Sequence, residues 1–387
     1  MPTNRRDHDL VLLGATGFTG ALTAQHLARH ADEGTRWALA GRNRGKLEAL
    51  RESLGVDVAL LHADVTDEGS LRDLAASTRV VTTTVGPYVR YGAPLVAACA
   101  REGTDYTDLT GEPEFVDRMF VNHHAEAQRT GARLVHACGF DSIPHDLGVL
   151  FTIQQLPEGV PLGVRGFVRA SGAASGGTFH SAMTAFSRPR QNREASRARR
   201  RVEERSNARR VRGVTRGPLR EDSLGAWAVP LPTIDPQIIL RSARALERYG
   251  PDFSYGHFAA VKHLPVAAGS VAGVGALFAL AQVPPARNLL LGRLQPGDGP
   301  SEAKRAKGWF KVRFVGEGGG RRVVTEVSGG DPGYDETAKM LSQAALCLAH
   351  DDLPQTAGQV TTAQAMGDAL IARVQAAGIA FDVLEAG

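Results

Sequence analysis

Cysteine is scarce: only Cys99, Cys138 and Cys347 occur among 387 residues, and no CxxC spacing joins them. Three thiols cannot all pair with one another, so a disulfide-stapled scaffold is excluded and a reducing compartment is expected. No signal-cleavage sequence follows the apolar run Leu10 to Leu13, which gives way at once to glycines; secretion is not expected, and the chain reads as cytoplasmic. HExxH and any Cys/His ligand set are missing, so no metal is expected. Gly-x-Ser-x-Gly and a phosphate loop ending in Lys-Ser/Thr are missing too, which removes the usual hydrolase and nucleoside triphosphatase signals. The 44 glycines follow no third-residue period and therefore mark tight backbone passages, not a collagen helix.

What is present fits a globular protein. With 387 residues, 43% of them hydrophobic and 22% charged, the chain is long enough for two or three cores. The formal charge of +4 has a local origin. Arg188 to Arg212 holds eleven Arg and three Glu, a net of +8, so the remainder sums to −4. Aromatic residues do not interleave with this tract, and nucleic acid is not expected as a partner.

Leu10 to Leu13 reads as a buried strand, Gly14 to Gly20 as a glycine turn, and Ala21 to His30 as a helix. The rhythm recurs. Trp37 to Ala40, Val56 to Leu61 and Val80 to Val85 read as strands; Gly45 to Leu54, Glu68 to Ala76 and Ala93 to Glu102 read as helices. Short extended runs follow around Tyr106 and from Arg133 to Ala137. Alternation at this spacing predicts right-handed crossovers on a parallel sheet covered on both faces, an α/β Rossmann-type domain over residues 1–150.

Beyond this point the pattern changes. Val164 to Ala170 reads as extended, Gly172 to Gly177 as a small-residue turn and Thr178 to Phe186 as the start of a helix. Trp309 to Val315 and Arg322 to Val327 alternate around Gly316 to Gly320, the signature of a hairpin. A second, mixed α/β (α+β) domain for substrate or dimer contacts is expected over 151–330, with a helical segment over 331–387 packing back on the first domain. Leu264 to Ala281 is eighteen residues without a charge, flanked by Lys262 and Arg287, with six Ala and three Gly. Three readings stay open for it: a membrane span, a peripheral lipid contact, or an ordinary buried or subunit-interface helix.

Gly14, Gly17 and Gly20 are spaced GxxGxxG where a strand ends and a helix opens, so Gly14-Ala15-Thr16-Gly17-Phe18-Thr19-Gly20 is expected to hold a pyrophosphate on unpaired helix amides. An NAD site would place an acid after the second strand. Here Ala40-Gly41 leads into Arg42 and Asn43. A guanidinium pairs with a 2′-phosphate and an acid would repel it, so NADP is the expected cofactor. Lys46 adds a positive charge one turn on, Asp64 bounds the adenine pocket, and Val85 and Gly86 form the wall beside the nicotinamide.

These motifs, together with Val85-Gly86-Pro87-Tyr88, Tyr106 to Glu112, Cys138-Gly139-Phe140-Asp141-Ser142-Ile143-Pro144, Gly176-Gly177-Thr178 and Asp331-Pro332-Gly333-Tyr334, resemble the saccharopine dehydrogenase-like oxidoreductases, most closely the branch of trans-acting enoyl reductases. The resemblance implies NADP-linked reduction of a carbon–carbon double bond in a polyketide-derived or lipid acyl chain presented by a partner synthase. A catalytically silent NADP-binding scaffold and a saccharopine-type C–N oxidoreductase are the alternatives. The Arg-rich segment 188–212 reads either as a solvated or disordered surface or as a docking patch for an acyl carrier, a phosphopantetheine arm or an anionic membrane at its inner face. A homodimer is the expected assembly, as for most soluble oligomers.

Such a reduction needs a donor to the atom that gains negative charge. Tyr88, Asp141, Ser142 and His145 are the candidates, Tyr88 first because its phenol lies beside the expected nicotinamide wall. Tyr88 also reads as packing over the cofactor, and Asp141-Ser142 as a helix cap. The Tyr-xxx-Lys pair of short-chain dehydrogenases occurs at none of the six tyrosines.

Overall fold

The computed structural model describes residues 6–171, 183–203, 209–215, 220–221, 224–291 and 299–387. The expected turn from Gly172 to Gly177, and the helix start at Thr178, lie outside the described residues.

The N-terminal strands are β1 (His8–Leu13), β2 (Trp37–Gly41), β3 (Ala59–His62), β4 (Thr78–Thr83), β5 (Asp105–Asp108) and β6 (Arg133–Val135). The helices among and after them are α1 (Phe18–His30), α2 (Arg44–Leu54), α3 (Glu68–Ser77), α4 (Tyr88–Tyr91), α5 (Ala93–Glu102), α6 (Pro113–Thr130) and α7 (Ile143–Gln154). β1 forms because Leu10, Val11 and Leu12 are apolar on both faces and fully buried, as a central parallel strand requires. β3 is only partly buried and lies at the sheet edge, so it is shorter than its apolar run suggests.

The second region holds β7 (Leu162–Ser171), α8 (Pro189–Val202), β8 (Arg210–Val214), β9 (Arg220–Glu221), β10 (Ala226–Pro230), α9 (Asp235–Ala245), β11 (Asp252–Val261), α10 (Leu264–Gln282), α11 (Pro284–Leu291), α12 (Glu302–Arg305), β12 (Trp309–Gly318) and β13 (Arg321–Gly329). β12 and β13 are antiparallel, with Gly318 opposite Arg321. The two loop residues, Gly319 and Gly320, take φ of +59° and +78°, the left-handed pair that a tight hairpin needs.

The C-terminal segment is α13 (Asp335–His350), β14 (Gly358–Val360), α14 (Thr362–Ala365), α15 (Gly367–Ala376) and β15 (Ala380–Ala386). It does more than the expected helical packing, because it adds a strand to each sheet. The first sheet runs β14-β6-β5-β4-β1-β2-β3, with every pairing parallel. The second is mixed and runs β15-β13-β12-β7-β11-β10-β9, with β8 also on β11. β14 has three residues and β15 is a mostly exposed edge, so neither carries a readable period. The chain therefore has a two-domain α/β architecture.

α7 joins the two sheets. It follows β6 of the first and lies on β12 of the second, so closely that a Cβ on Gly148 would come within 2.3 Å of the Phe314 ring. One core runs from Leu10 and Leu12 through Leu147 and Ile153 to Phe314 and Val327. Buried Asp146 ties the same junction: it accepts hydrogen bonds from Ser242 Oγ at 2.6 Å, Thr362 Oγ1 at 2.7 Å and the Ala363 amide at 2.9 Å.

Among the described residues no helix is long and apolar enough to cross a membrane. α10 is not an ordinary buried helix either, since Val266, Phe278 and Leu280 are exposed while Ala281 is covered. The Arg-rich tract is helical over α8, and part of it is structural. Arg188 grips Glu114 through two nitrogens at 2.7 and 2.8 Å, and Arg199 pairs with Asp117 at 2.6 Å.

Candidate functional site

The glycine turn sits where β1 meets α1, at the point where the sheet order reverses between β1 and β4. Gly14 has φ +89°, and a Cβ there would meet Val85 Cγ2 at 2.7 Å and Thr84 Oγ1 at 2.9 Å. This turn and the loop after β4 therefore touch. Gly17 precedes α1 without a side-chain cap, and the first turn of α1 has no acidic residue. An anion approaching these amides meets no competing carboxylate on that turn. Gly20 lets helix and strand close: a Cβ would fall 2.1 Å from the Gly14 carbonyl oxygen. Thr16 and Gly17 are exposed at the tip, and Thr19 offers its carbonyl to Thr23 Oγ1 at 2.8 Å. Phe18 turns away, edge-on to Tyr334 at 4.9 Å with the Arg305 guanidinium at 5.4 Å, and so wedges against the later chain.

The second, third and fourth strands bring their ends to the same edge. Arg42 follows β2 and is exposed. Its charge reaches Asp64, whose carboxyl lies below its ordinary value, first through the Thr66 amide, then through the Thr66 hydroxyl, with Arg42 a smaller contribution. Asn43 caps α2 by accepting from the Lys46 amide at 3.0 Å, so its side-chain oxygen is committed to the helix; the Lys46 side chain is exposed. Val85 is partly buried and Gly86 is exposed on the loop after β4. The charge and backbone of this edge fit a phosphorylated dinucleotide: a glycine turn packed too closely to carry side chains, uncapped helix amides opening from it and an exposed guanidinium after β2.

Tyr88 is tied to backbone at the ends of β4 and β5. Its ring is buried, and its hydroxyl donates to the Thr83 carbonyl at 3.1 Å while accepting from the Leu109 amide at 3.1 Å. Burial pushes the phenol well above its usual value, with Asp108 adding to the effect. Glu112 holds the start of α4 from the other side, accepting from the Tyr88 and Val89 amides at 3.2 and 2.7 Å. The phenol straps the end of β4 to the end of β5 and has spent both its donor and its acceptor on backbone.

The other three expected donors meet at the start of α7. Ser142 has φ +128° and a fully buried Oγ without a partner among the described residues, a strained position of the kind found at functional sites. Asp141 is partly buried; its carboxyl is pushed up to about 7 by enclosure and by the negative charge of Asp235. His145 is buried beside two residues that sequence reading did not single out, Asp235 at the start of α9 and His257 on β11. His145 Nδ1 lies 3.1 Å from Asp235 Oδ1, and His257 Nε2 lies 3.4 Å from Asp235 Oδ2. Burial lowers the His145 imidazole to about 4, against the pull of Asp235. Burial alone would raise Asp235, but His145 and His257 outweigh it and hold the carboxylate low. Among the described residues, this trio is the group of His, Cys and acidic side chains whose ligand atoms converge, all within 4.8 Å. No local motif links positions 145, 235 and 257, so only the fold could reveal them.

Residues 10–135 match the saccharopine dehydrogenase NADP-binding domain. Over 98% of both chains, the protein is 37% identical to a trans-acting enoyl reductase of Mycobacterium tuberculosis and 36% identical to one of Mycobacterium ulcerans. Among solved structures, apo saccharopine dehydrogenase (L-Glu forming) of Saccharomyces cerevisiae shares the fold, with a TM-score of 0.52 at 12% identity, covering 97% of this chain and 99% of that one.

Proposed function

The chain belongs to the saccharopine dehydrogenase-like family, among the relatives of the mycobacterial trans-acting enoyl reductases, and from that premise we propose that it reduces the carbon–carbon double bond of a lipid- or polyketide-type acyl substrate. It is an NADP-dependent oxidoreductase. The observation that carries the reading is the close-packed Gly14 and Gly20 turn leading into the uncapped start of α1, with Arg42 exposed after β2.

When bound, the cofactor supplies a hydride from its nicotinamide. The chain's own residues bind and orient. The amides at the start of α1 would hold the pyrophosphate, Arg42 the 2′-phosphate, and Val85 and Gly86 would border the nicotinamide. Reduction of an enoyl thioester places negative charge on the thioester oxygen and ends with a proton at the α-carbon. Asp141 supports that last step best: it stands where β6 gives way to α7, and its carboxyl retains its proton to higher pH than an ordinary aspartate. Tyr88 keeps the loop after β4 in place.

The exposed side of α8 carries Arg190, Arg193, Arg197 and Arg201, which suits an acidic acyl carrier delivering the substrate in the cytoplasm. NADPH consumption with 2-enoyl thioesters, offered on coenzyme A and on a carrier protein, tests the proposal. One saturated acyl product per NADPH is expected, faster from the carrier. Absence of enoyl-dependent oxidation on either carrier would sink the enoyl reading.

A further inference from the structure

We propose that His145, Asp235 and His257 form a site for one divalent first-row metal ion, with Zn²⁺ the natural occupant. The inference does not depend on the acyl substrate. Three side chains from α7, α9 and β11 point ligand atoms at one spot, and each side chain is no more than 3% exposed. His145 Nδ1, Asp235 Oδ1 and His257 Nε2 are buried and have no well-directed hydrogen bond among the described residues. Buried polar groups are ordinarily satisfied, and here two imidazole nitrogens face one carboxylate at ion-pair distance without a well-directed bond, an arrangement that an ion would complete.

The spacing suits a metal. Zinc bonds imidazole nitrogen and carboxylate oxygen at about 2.0–2.2 Å, which makes the edge of a tetrahedron about 3.3–3.6 Å. The two imidazole–carboxylate distances here are 3.1 Å, to Oδ1, and 3.4 Å, to Oδ2, so each carboxylate oxygen faces one imidazole, and one ligand atom from each of the three residues lies within 4.8 Å of the others. Two imidazoles with one carboxylate are a donor set that zinc and its first-row neighbours accept, and three protein ligands leave a fourth position open.

The surrounding contacts also fit. A metal-bound imidazole ordinarily donates its other N–H to a fixed acceptor, which sets the tautomer and aims the ring. The remaining nitrogen of His257, Nδ1, lies 2.8 Å from the buried Tyr255 hydroxyl. The His145 ring bonds the backbone of Phe140, and the Asp235 carboxylate also takes a hydrogen bond from Thr233. An ion here would pin α7, which leaves the first sheet, to α9 and β11 of the second region, at the junction where the two sheets meet.

Tag-free full-length protein, stripped with a chelator and dialysed, is titrated with Co²⁺ and then with Zn²⁺. The expected result is one Co²⁺ per chain with the visible absorption of a low-coordinate nitrogen–oxygen site, displacement of that signal by Zn²⁺, and a thermal midpoint that rises with Zn²⁺. His257→Asn should abolish the cobalt signal. Tyr255→Phe keeps all three ligands and should weaken Zn²⁺ binding about 10–100-fold. Circular dichroism and NADPH titration report whether each variant is folded. Wild-type protein that shows neither a cobalt signal nor a zinc-dependent midpoint, or folded His257→Asn with an unchanged signal, overturns the proposal.

Discussion

A Cβ placed on Gly20 would lie 2.1 Å from the carbonyl oxygen of Gly14, inside any tolerable contact. The obstacle is backbone, which cannot swing aside like a side chain. Gly20→Ala should therefore push α1 off β1, at a cost of about 1–3 kcal/mol. The thermal midpoint should fall and NADPH affinity should fall with it. An alanine variant that binds NADPH normally would mean that this glycine turn does not hold the cofactor.

Arg42 is the test of cofactor choice. Arg42→Ala removes a charge-assisted contact of about 1.5–3 kcal/mol, so NADPH should bind at least tenfold more weakly while NADH changes little. Fluorescence titration with both nucleotides measures the difference directly. Equal losses for the two would move the 2′-phosphate elsewhere.

Tyr88→Phe should leave turnover largely intact and reduce stability. Its hydroxyl serves the Thr83 carbonyl and the Leu109 amide, and removing it leaves a partly buried N–H unpaired at a cost of about 1–3 kcal/mol. Chemical denaturation beside steady-state kinetics separates the outcomes. A large fall in kcat at unchanged stability would return the phenol to the chemistry.

Asp141→Asn should lower kcat by about 10²–10⁴-fold with NADPH binding unchanged, the range for loss of a positioned proton donor. Single-turnover measurements would show the loss in the reductive step. Retention of the wild-type rate would leave the proton to another group.

His26 predicts an acid limb in stability. It lies on α1, 2.9 Å from the side-chain nitrogen of Gln343 on α13, and stacks on His30 at 4.1 Å. Burial, then the neighbouring positive charges, lower its imidazole from 6.5 to about 3. The folded state thus prefers the neutral ring. Its contribution is complete above pH 6.5 and is lost as the pH falls toward 3, reaching up to about 2 kcal/mol of lost stability near pH 5. His26→Gln keeps an acceptor for Gln343 and should flatten that limb in denaturation measured across pH; an unchanged limb would assign it to other groups.

Much of the first sheet was legible because its signals are local. Apolar strands alternate with amphipathic helices, and the glycines at 14, 17 and 20 declare close backbone passages whatever lies around them. The hairpin at Gly319 and Gly320 was legible on the same ground. The role of Tyr88 was not. A tyrosine beside a predicted wall reads as a donor, and nothing along the chain announces that its hydroxyl bonds the carbonyl of Thr83 and the amide of Leu109. β14 was hidden by its three-residue length, and the exposure of α10 by a composition that suits a buried helix equally well.

The sequence by itself determined the nucleotide-binding half, since backbone clearance and charge at a strand end are properties of a few adjacent residues. It also placed Asp141, Ser142 and His145 together, at the first turn of one helix. Only the tertiary structure decided what faces them. Asp235 and His257 reach His145 from different elements, brought there by α7 packing on the second sheet, and a ligand set assembled by packing leaves no spacing to read along the chain.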